Sequence, residues 1–379
     1  MKFLIFSNYL PSILNFRGEL LKSIADKGYE IHVLAPNIEM YNEDLIRLTD
    51  LGYFVHSVPM QRTGTNPIAD AKTLLAAYDI IRVIKPDFIL SYTIKPVIYG
   101  TLAAWIAKVP RRFALLPGLG YAFQKNGEAS NSNIIQKTVH KLYQKALVKA
   151  SKVFFQNPDD LKLFLDLKLL NPIVPTVVVN GSGVDISDFD VLPFIYDQEG
   201  NAKPSFLLIA RLLKDKGIIE YIEAARKVKE KYPLAEFNLV GWIDENPAAI
   251  EQHQLDSWIE EGIINYWGQL DDVRPAIAAC SVYVLPSYRE GTPRTVLEAM
   301  SMGRAVITTD APGCRETVIN NYNGYLVPIK NVDELANTMC QFIENPKLYE
   351  RMGKASRRMA LDKYDVKKIN NHMISEMGL

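Results

Sequence analysis

Pro286-Ser287-Tyr288-Arg289-Glu290-Gly291-Thr292-Pro293-Arg294-Thr295-Val296-Leu297-Glu298-Ala299-Met300 is the stretch on which the reading of this chain turns. An apolar run ends at Pro286, a polar turn follows, and a helical pattern starts near Pro293. Thr292 suits the N-cap, and Pro293 suits the first helical position, where its missing N–H would be unpaired anyway. Glu290 then lies in the turn, and Glu298 more than one turn inside the helix. The free amides and partial positive charge of the helix start face the same crevice as the turn. The expectation is an anion site with a carboxylate on each side to receive hydroxyl groups. A phosphorylated sugar fits that description.

Strand, loop and helix alternate outward from this stretch. Before it, strands at 205–210, 236–240, 264–267 and 282–285 alternate with helical patterns over 218–231, up to about 262, and from 273. After it come a strand at 305–309, helices at 332–343 and 346–361, and a short last segment. The first half repeats the scheme, with strands at 2–6, 30–35, 53–58, 88–92, 112–116, 153–156 and 177–180. Its helices fall at 17–27, 45–51, 69–84 and 97–108, and residues 7–15 read as a loop. Continuous apolar strands are those of a parallel sheet covered on both faces. Their alternation with helices over this length means two doubly wound α/β units. Between Gly183 and Pro204, the run VDISDFDVLPFIYDQEGNAKP has five acidic residues and no sustained period, and it reads as a linker. Ligands of such sheets sit outside the carboxyl ends of the strands, so two facing units place one in a cleft between them.

At 379 residues the chain is long enough for two cores. Its 43 basic and 43 acidic residues balance, but unevenly: through Asn180 there are 21 Lys and Arg against 14 Asp and Glu, and beyond it 22 against 29. A neutral whole without aromatic residues interleaved among basic ones excludes a nucleic-acid partner. Cys280, Cys314 and Cys340 show no ligand-like spacing and read as reduced thiols, two of them packed, in a cytoplasmic protein. MKFLIFSNYL meets polar residues and a proline too early for a signal peptide, and no apolar run is long enough to span a bilayer. Any membrane contact is therefore expected to be peripheral.

Two loops of the second half concentrate charge at strand ends. One holds Arg211 and Lys216, which from either side can grip a diphosphate. The other holds Glu290 and Glu298. A single Lys or Arg after a strand is usually just solvated. Two such loops at equivalent ends of one sheet point into one crevice.

Arg211, Lys216-Gly217 and the pair Glu290, Glu298, within PSYREGTPRTVLEAMSMGRAVITTDAPGCRETV, resemble the retaining GT-B glycosyltransferases of family four. The segments GLGYAF, DENPAAI and APGCRET look like bacterial enzymes that extend lipid-linked (undecaprenyl-diphosphate) saccharides, such as the N-acetylgalactosaminyltransferase type. The resemblance implies two Rossmann-like doubly wound parallel-sheet domains. An acceptor-side domain would cover 1–185, with 363–379 packing back on it, and a nucleotide-sugar donor domain 186–362. It also implies roles: Arg211 and Lys216 on the donor diphosphate, Glu298 on the ribose hydroxyls, and Glu290 on the sugar ring. Gly291 and Thr292 would lie near the phosphates, and Leu270 and Asp272 in the nucleobase pocket. Asn15, Arg17, Gly118 and Tyr121 would lie on the acceptor side, with 7–17 read as the loop after the first strand. The implied reaction moves a sugar, an N-acetylhexosamine or a hexose, from a UDP-sugar to a lipid-diphosphate-linked saccharide with retention of configuration.

Fixed positive groups stabilise the charge that develops as a nucleoside diphosphate leaves. Arg211, Lys216 and the helix start can do this together, and no Asp-x-Asp pattern marks a metal-dependent site, so no metal or other cofactor is expected. Asp271-Asp272 reads as a helix start. The sequence departs from the family at Pro117, which stands where many members carry a histidine.

Lys137, Lys141, Lys145 and Lys149 recur every four positions, along one side of a helix. This face is either plain solvated surface or a docking face for anionic lipid, which would put the protein in the cytoplasm, peripheral on the inner face of the membrane. Two other readings of the whole chain compete. A nucleotide-sugar 2-epimerase of the same fold needs acid and base groups around the ring, and the Arg–Lys–Glu–Glu set favours transfer. A non-catalytic sugar-nucleotide-binding subunit is compatible with Pro117 but not with four intact charged residues. A dehydrogenase is excluded, because Ser7-Asn8-Tyr9-Leu10-Pro11 has no Gly-x-Gly-x-x-Gly.

Overall fold

The computed structural model describes residues 1–61, 66–118, 130–196, 203–244 and 246–379, without the side chains of 130–135. The chain folds as two compact units, one made of Met1–Ser182 with Ile369–Leu379 and the other of Gly183–Lys368. Both are α/β, and both are built on a fully parallel sheet in the Rossmann strand order.

The first sheet has strands β1 (Lys2–Phe6), β2 (Glu30–Ala35), β3 (Phe54–Ser57), β4 (Phe88–Tyr92), β5 (Arg111–Leu116), β6 (Lys152–Phe155) and β7 (Thr176–Val178). They lie in the order β3-β2-β1-β4-β5-β6-β7. The second has β8 (Ser205–Ile209), β9 (Glu236–Val240), β10 (Asn265–Tyr266), β11 (Val282–Leu285), β12 (Ala305–Thr309) and β13 (Gly324–Val327), in the order β10-β9-β8-β11-β12-β13. β4, β8, β11 and β12 are buried along their whole length. Their unbroken apolar runs follow from that, since helices cover both faces.

Several elements differ from the expectation. The first helix is Pro11–Ala25, not 17–27, because Pro11 occupies its opening turn and Ile13, Leu20, Leu21 and Ile24 form one buried stripe. The loop after β1 is correspondingly short. The helix Pro67–Ile84 starts at Asn66, whose side chain accepts from the amides of Ile68 and Ala69. Pro158–Asp166, capped by Asn157, and β13 had no counterpart in the sequence reading. The short end segment is the helix Val366–Met377, and it packs back on the first unit as expected of 363–379, burying Ile369, Met373, Ile374 and Met377 in that core. Lys152 Nζ meets Glu376 Oε2 at 2.6 Å beside it.

The described part of the linker is strapped down rather than loose. Arg304, fully buried, donates from Nη1 to Leu192 O at 2.8 Å and from Nε to Ile277 O at 3.0 Å. Arg357 Nη1 donates to Phe189 O at 2.9 Å. Two guanidiniums thus satisfy backbone carbonyls of a segment whose first residue, Val184, is bridged to Asp365.

Candidate active site

β8 and β11 are neighbours, with Val282 opposite Phe206 and Tyr283 opposite Leu207, and the strand order reverses between them. A crevice opens at the carboxyl ends of strands at such a point. The two charged loops leave the sheet there. Tyr283 ties them together at the base, its hydroxyl 2.7 Å from Thr295 Oγ1 and 3.2 Å from Ile209 O.

The approach of the loops depends on Gly217. It has φ +74°, and a Cβ there would stand 2.2 Å from Pro286 O. Only glycine permits that conformation and that distance together. Tyr288 N–H then donates to Asp215 O at 2.9 Å, and Glu290 N–H to Pro312 O at 2.9 Å. From the other side Gly313 presses in so closely that its Cβ would lie 2.1 Å from Glu290 O. The turn holding Glu290 is clamped by both adjacent strand exits.

Within this frame Lys216 Nζ sits 2.6 Å from Glu290 Oε1, both side chains mostly buried. The same oxygen accepts from Ser287 Oγ at 2.8 Å, and Thr309 Oγ1 holds the Ser287 carbonyl. Behind Glu290, burial and then the Glu290 charge push the Cys314 thiol up to about 12. Arg211 Nη1 donates to Asp244 Oδ2 at 2.9 Å. Glu298, 6% exposed, accepts from Arg294 Nε at 2.8 Å. Burial raises the Glu298 carboxyl above its ordinary value, and Arg294 opposes that rise without cancelling it.

The helix itself is Arg294–Ser301, with Pro293 in extended conformation as its N-cap. Thr292 is therefore not the cap, nor Pro293 the first helical residue. The proline ring fixes φ near −65° in either case, and here ψ of 112° keeps Pro293 outside the helix. Glu298 still lies in the second turn.

Lys216 and Glu290 meet directly, while Arg211 and Glu298 leave the same two strand ends paired with Asp244 and Arg294. Leu270 packs against the adjoining core. The Asp272 carboxylate is engaged by Arg274, accepting from its backbone N–H at 3.0 Å and from Nε at 2.8 Å, which is the helix-start role expected for it. Asn15 and Arg17 are not brought together. Both lie on the helix Pro11–Ala25, two residues and so ~200° apart. Asn15 is exposed, while Arg17, 2% exposed, lies over the Tyr92 ring at 5.8 Å. The Gln156 amide bridges Arg17 Nη2 (3.1 Å) and Pro117 O (2.9 Å), just before Gly118. Tyr121 is outside the described residues. Lys137, Lys141 and Lys145 are exposed on the helix Ser130–Leu147, but Lys149 turns onto the Trp105 ring at 4.3 Å.

Ser287, Asp244 and Arg294 hold the four charged residues in place and were absent from the sequence reading. Only Arg294 carried a usable signal, its spacing of four from Glu298 on one helix.

Residues 197–359 match the family described as Glycosyl transferases group 1, and residues 11–157 the one described as Glycosyl transferase 4-like. The chain is 32% identical to the N,N'-diacetylbacillosaminyl-diphospho-undecaprenol alpha-1,3-N-acetylgalactosaminyltransferase of Campylobacter jejuni, over 93% of this chain and 92% of that protein. It is 25% identical to the UDP-Gal:alpha-D-GlcNAc-diphosphoundecaprenol alpha-1,3-galactosyltransferase of Escherichia coli, over 82% and 80%. The fold is that of Anabaena HepE in complex with UDP, at a TM-score of 0.77, 20% identity and full coverage of both chains.

Proposed function

Because the chain belongs to the group 1 glycosyl transferases, of GT-B fold, and is a hexosyltransferase, we propose that it moves an N-acetylhexosamine or hexose from a UDP-sugar to a lipid-diphosphate-linked saccharide, in the building of a surface glycan. The observation that carries this reading is the Lys216–Glu290 pair where β8 and β11 end, with Arg211 and Glu298 following the same two strands. Arg211 and Lys216 take the donor diphosphate, Glu298 the ribose hydroxyls, and Glu290 the sugar. Gly291, Thr292 and the start of the helix Arg294–Ser301 lie beside the phosphates. Leu270 and Asp272 flank the base.

In this structure the cations already have carboxylate partners, Lys216 with Glu290 and Arg211 with Asp244. An incoming diphosphate adds negative charge to a neutralised pocket, so Lys216 is drawn toward phosphate while Glu290 is left to accept from sugar hydroxyls. As the glycosidic bond to the diphosphate breaks, fixed cations stabilise the departing charge without reorganising. That supply of positive charge makes a divalent metal unnecessary, and chelation with EDTA is expected to leave the rate unchanged. Attack from the same face, with the departing phosphate receiving the acceptor's proton, gives retention without a dedicated protein base.

The acceptor is membrane-borne in this reading. No helix among the described residues is long and apolar enough to cross a membrane, and Lys137, Lys141 and Lys145 offer a basic face for peripheral attachment to the inner leaflet. Incubation with UDP-sugars and a lipid-diphosphate saccharide tests the whole proposal. UDP release coupled to a longer lipid-linked saccharide is the expected result, and UDP-sugar binding without release would overturn it.

A further inference from the structure

The turn after β9 carries residues that have no place in the donor-site assignment, and it is stitched to the loop bearing Arg211. Leu212 N–H donates to Trp242 O at 2.9 Å, Lys214 N–H to Ala248 O at 3.0 Å, and Ile250 N–H to Leu212 O at 2.8 Å. Leu213 and Ala249 form an antiparallel bridge between them. Inside the turn, Asp244 Oδ1 accepts from Asn246 N–H at 2.9 Å, and Asn246 Oδ1 from Ala248 N–H at 2.9 Å. One oxygen of Asp244 is thus tied to its own backbone, and the other is presented to Arg211 Nη1 at 2.9 Å. Asp244 is the less exposed of the two, at 19% against 39%.

We propose that Asp244 is a positioning residue for Arg211, fixing the plane of the guanidinium against the leaving diphosphate; this rests on the transferase reading above. A guanidinium has five N–H donors in a rigid fork, so one held by a fixed acceptor orients the rest. A long arginine at the rim of a crevice otherwise samples many rotamers, and donors that are not preorganised stabilise developing charge poorly. The Asp244 charge also opposes ground-state binding of a polyanion nearby. Removing it therefore separates the two parameters: transfer slows, while UDP affinity holds or rises. A residue that merely held the loop together would lose both.

The test is a cycle of wild type, Asp244→Asn, Arg211→Ala and the double variant, with transfer rates measured kinetically and UDP affinity by calorimetry. Losing a carboxylate that orients a metal ligand typically costs ~10–100-fold, and a similar order is expected for one that orients a guanidinium. Asp244→Asn is expected to lower kcat about tenfold with UDP affinity unchanged or higher, and to have no further effect on top of Arg211→Ala. An equal fall in both backgrounds, or an unchanged kcat, would overturn the role of Asp244. Asp244→Ser keeps an oxygen for Asn246 N–H without the charge, and it replaces the Asn variant should that one melt early. A wild type that transfers nothing would overturn the transferase reading and this one with it, whereas an active wild type with additive variants overturns this one alone.

Discussion

At the scale of single residues, Glu298 combines a cost to the fold with a use in the site. Burial outweighs Arg294 and raises its carboxyl above the ordinary value of 4.5. An acid whose folded value is raised contributes full relative stability below the unfolded value and loses it as pH climbs through the folded one. Above its raised folded value, the ionised Glu298 therefore favours the fold less than its protonated form does. Glu298→Gln, which can still accept from Arg294 Nε, is expected to melt no lower than wild type at pH 7. The difference should shrink as pH falls through the raised folded value and be gone below 4.5, because the wild-type carboxyl takes up its proton above that ordinary value. Its UDP affinity should drop by about tenfold, near 1.4 kcal/mol, when a neutral amide replaces the charged acceptor of the ribose hydroxyls. Thermal melts across pH beside calorimetry decide it, and a Gln variant that is both less stable and equally good at binding UDP would remove Glu298 from the site. The placement of Arg211, Lys216, Glu290 and Glu298 at neighbouring strand ends was legible in the sequence because each follows an unbroken apolar run. Ser287 and Asp244 were not, since their parts depend on distances between loops, which spacing along the chain does not encode.

At the scale of elements, the site is a joint between two strand exits, and Gly217 is its tightest point. Alanine there would need φ +74° and would set a Cβ against Pro286 O at 2.2 Å. The left-handed conformation alone costs about 1 kcal/mol for a residue with a Cβ, and the close approach forces the loops apart besides. Gly217→Ala is expected to lower stability by more than ~1 kcal/mol and to separate Lys216 from Glu290, so that transfer falls further than the melting temperature implies. Urea denaturation read with turnover checks this, and an alanine variant of full activity would show that the joint is looser than it looks. Most strands were legible because buried parallel strands are unbroken apolar runs. β13 (Gly324–Val327) was not, because its two middle residues are only partly buried and it follows directly on a turn, so no unbroken apolar run marks it. Where the helix Val366–Met377 packs was implied by the family resemblance and not by its own residues, because its apolar stripe complements the core of the first unit, far away in sequence. The start of Arg294–Ser301 shifted by one residue because proline at the N-cap and proline at the first helical position look alike in sequence.

At the scale of the molecule, zero formal charge conceals a basic first half and an acidic second half. A neutral protein has no overall attraction to an anionic bilayer, so binding must come from uneven distribution of its charge. The exposed Lys137, Lys141 and Lys145 concentrate positive charge on one helix of the first unit, while the residues proposed to bind the donor belong to the second. Reversing Lys141 and Lys145 to Glu removes two attractions of ~1 kcal/mol each near a charged surface and adds two repulsions, roughly 2–4 kcal/mol in all. The double variant is expected to leave vesicles rich in anionic phospholipid at 0.1 M salt while binding UDP as wild type does. Wild type should itself detach near 1 M salt, where the Debye length contracts from ~10 Å to ~3 Å, and should ignore vesicles of neutral lipid throughout. Lys149→Glu, a residue already committed to the Trp105 ring, should matter less than either reversal. Sedimentation with vesicles across a salt series measures all of this. If the double variant partitions like wild type, the lysine face is ordinary solvated surface, and attachment must rest on recognition of the lipid-linked acceptor itself.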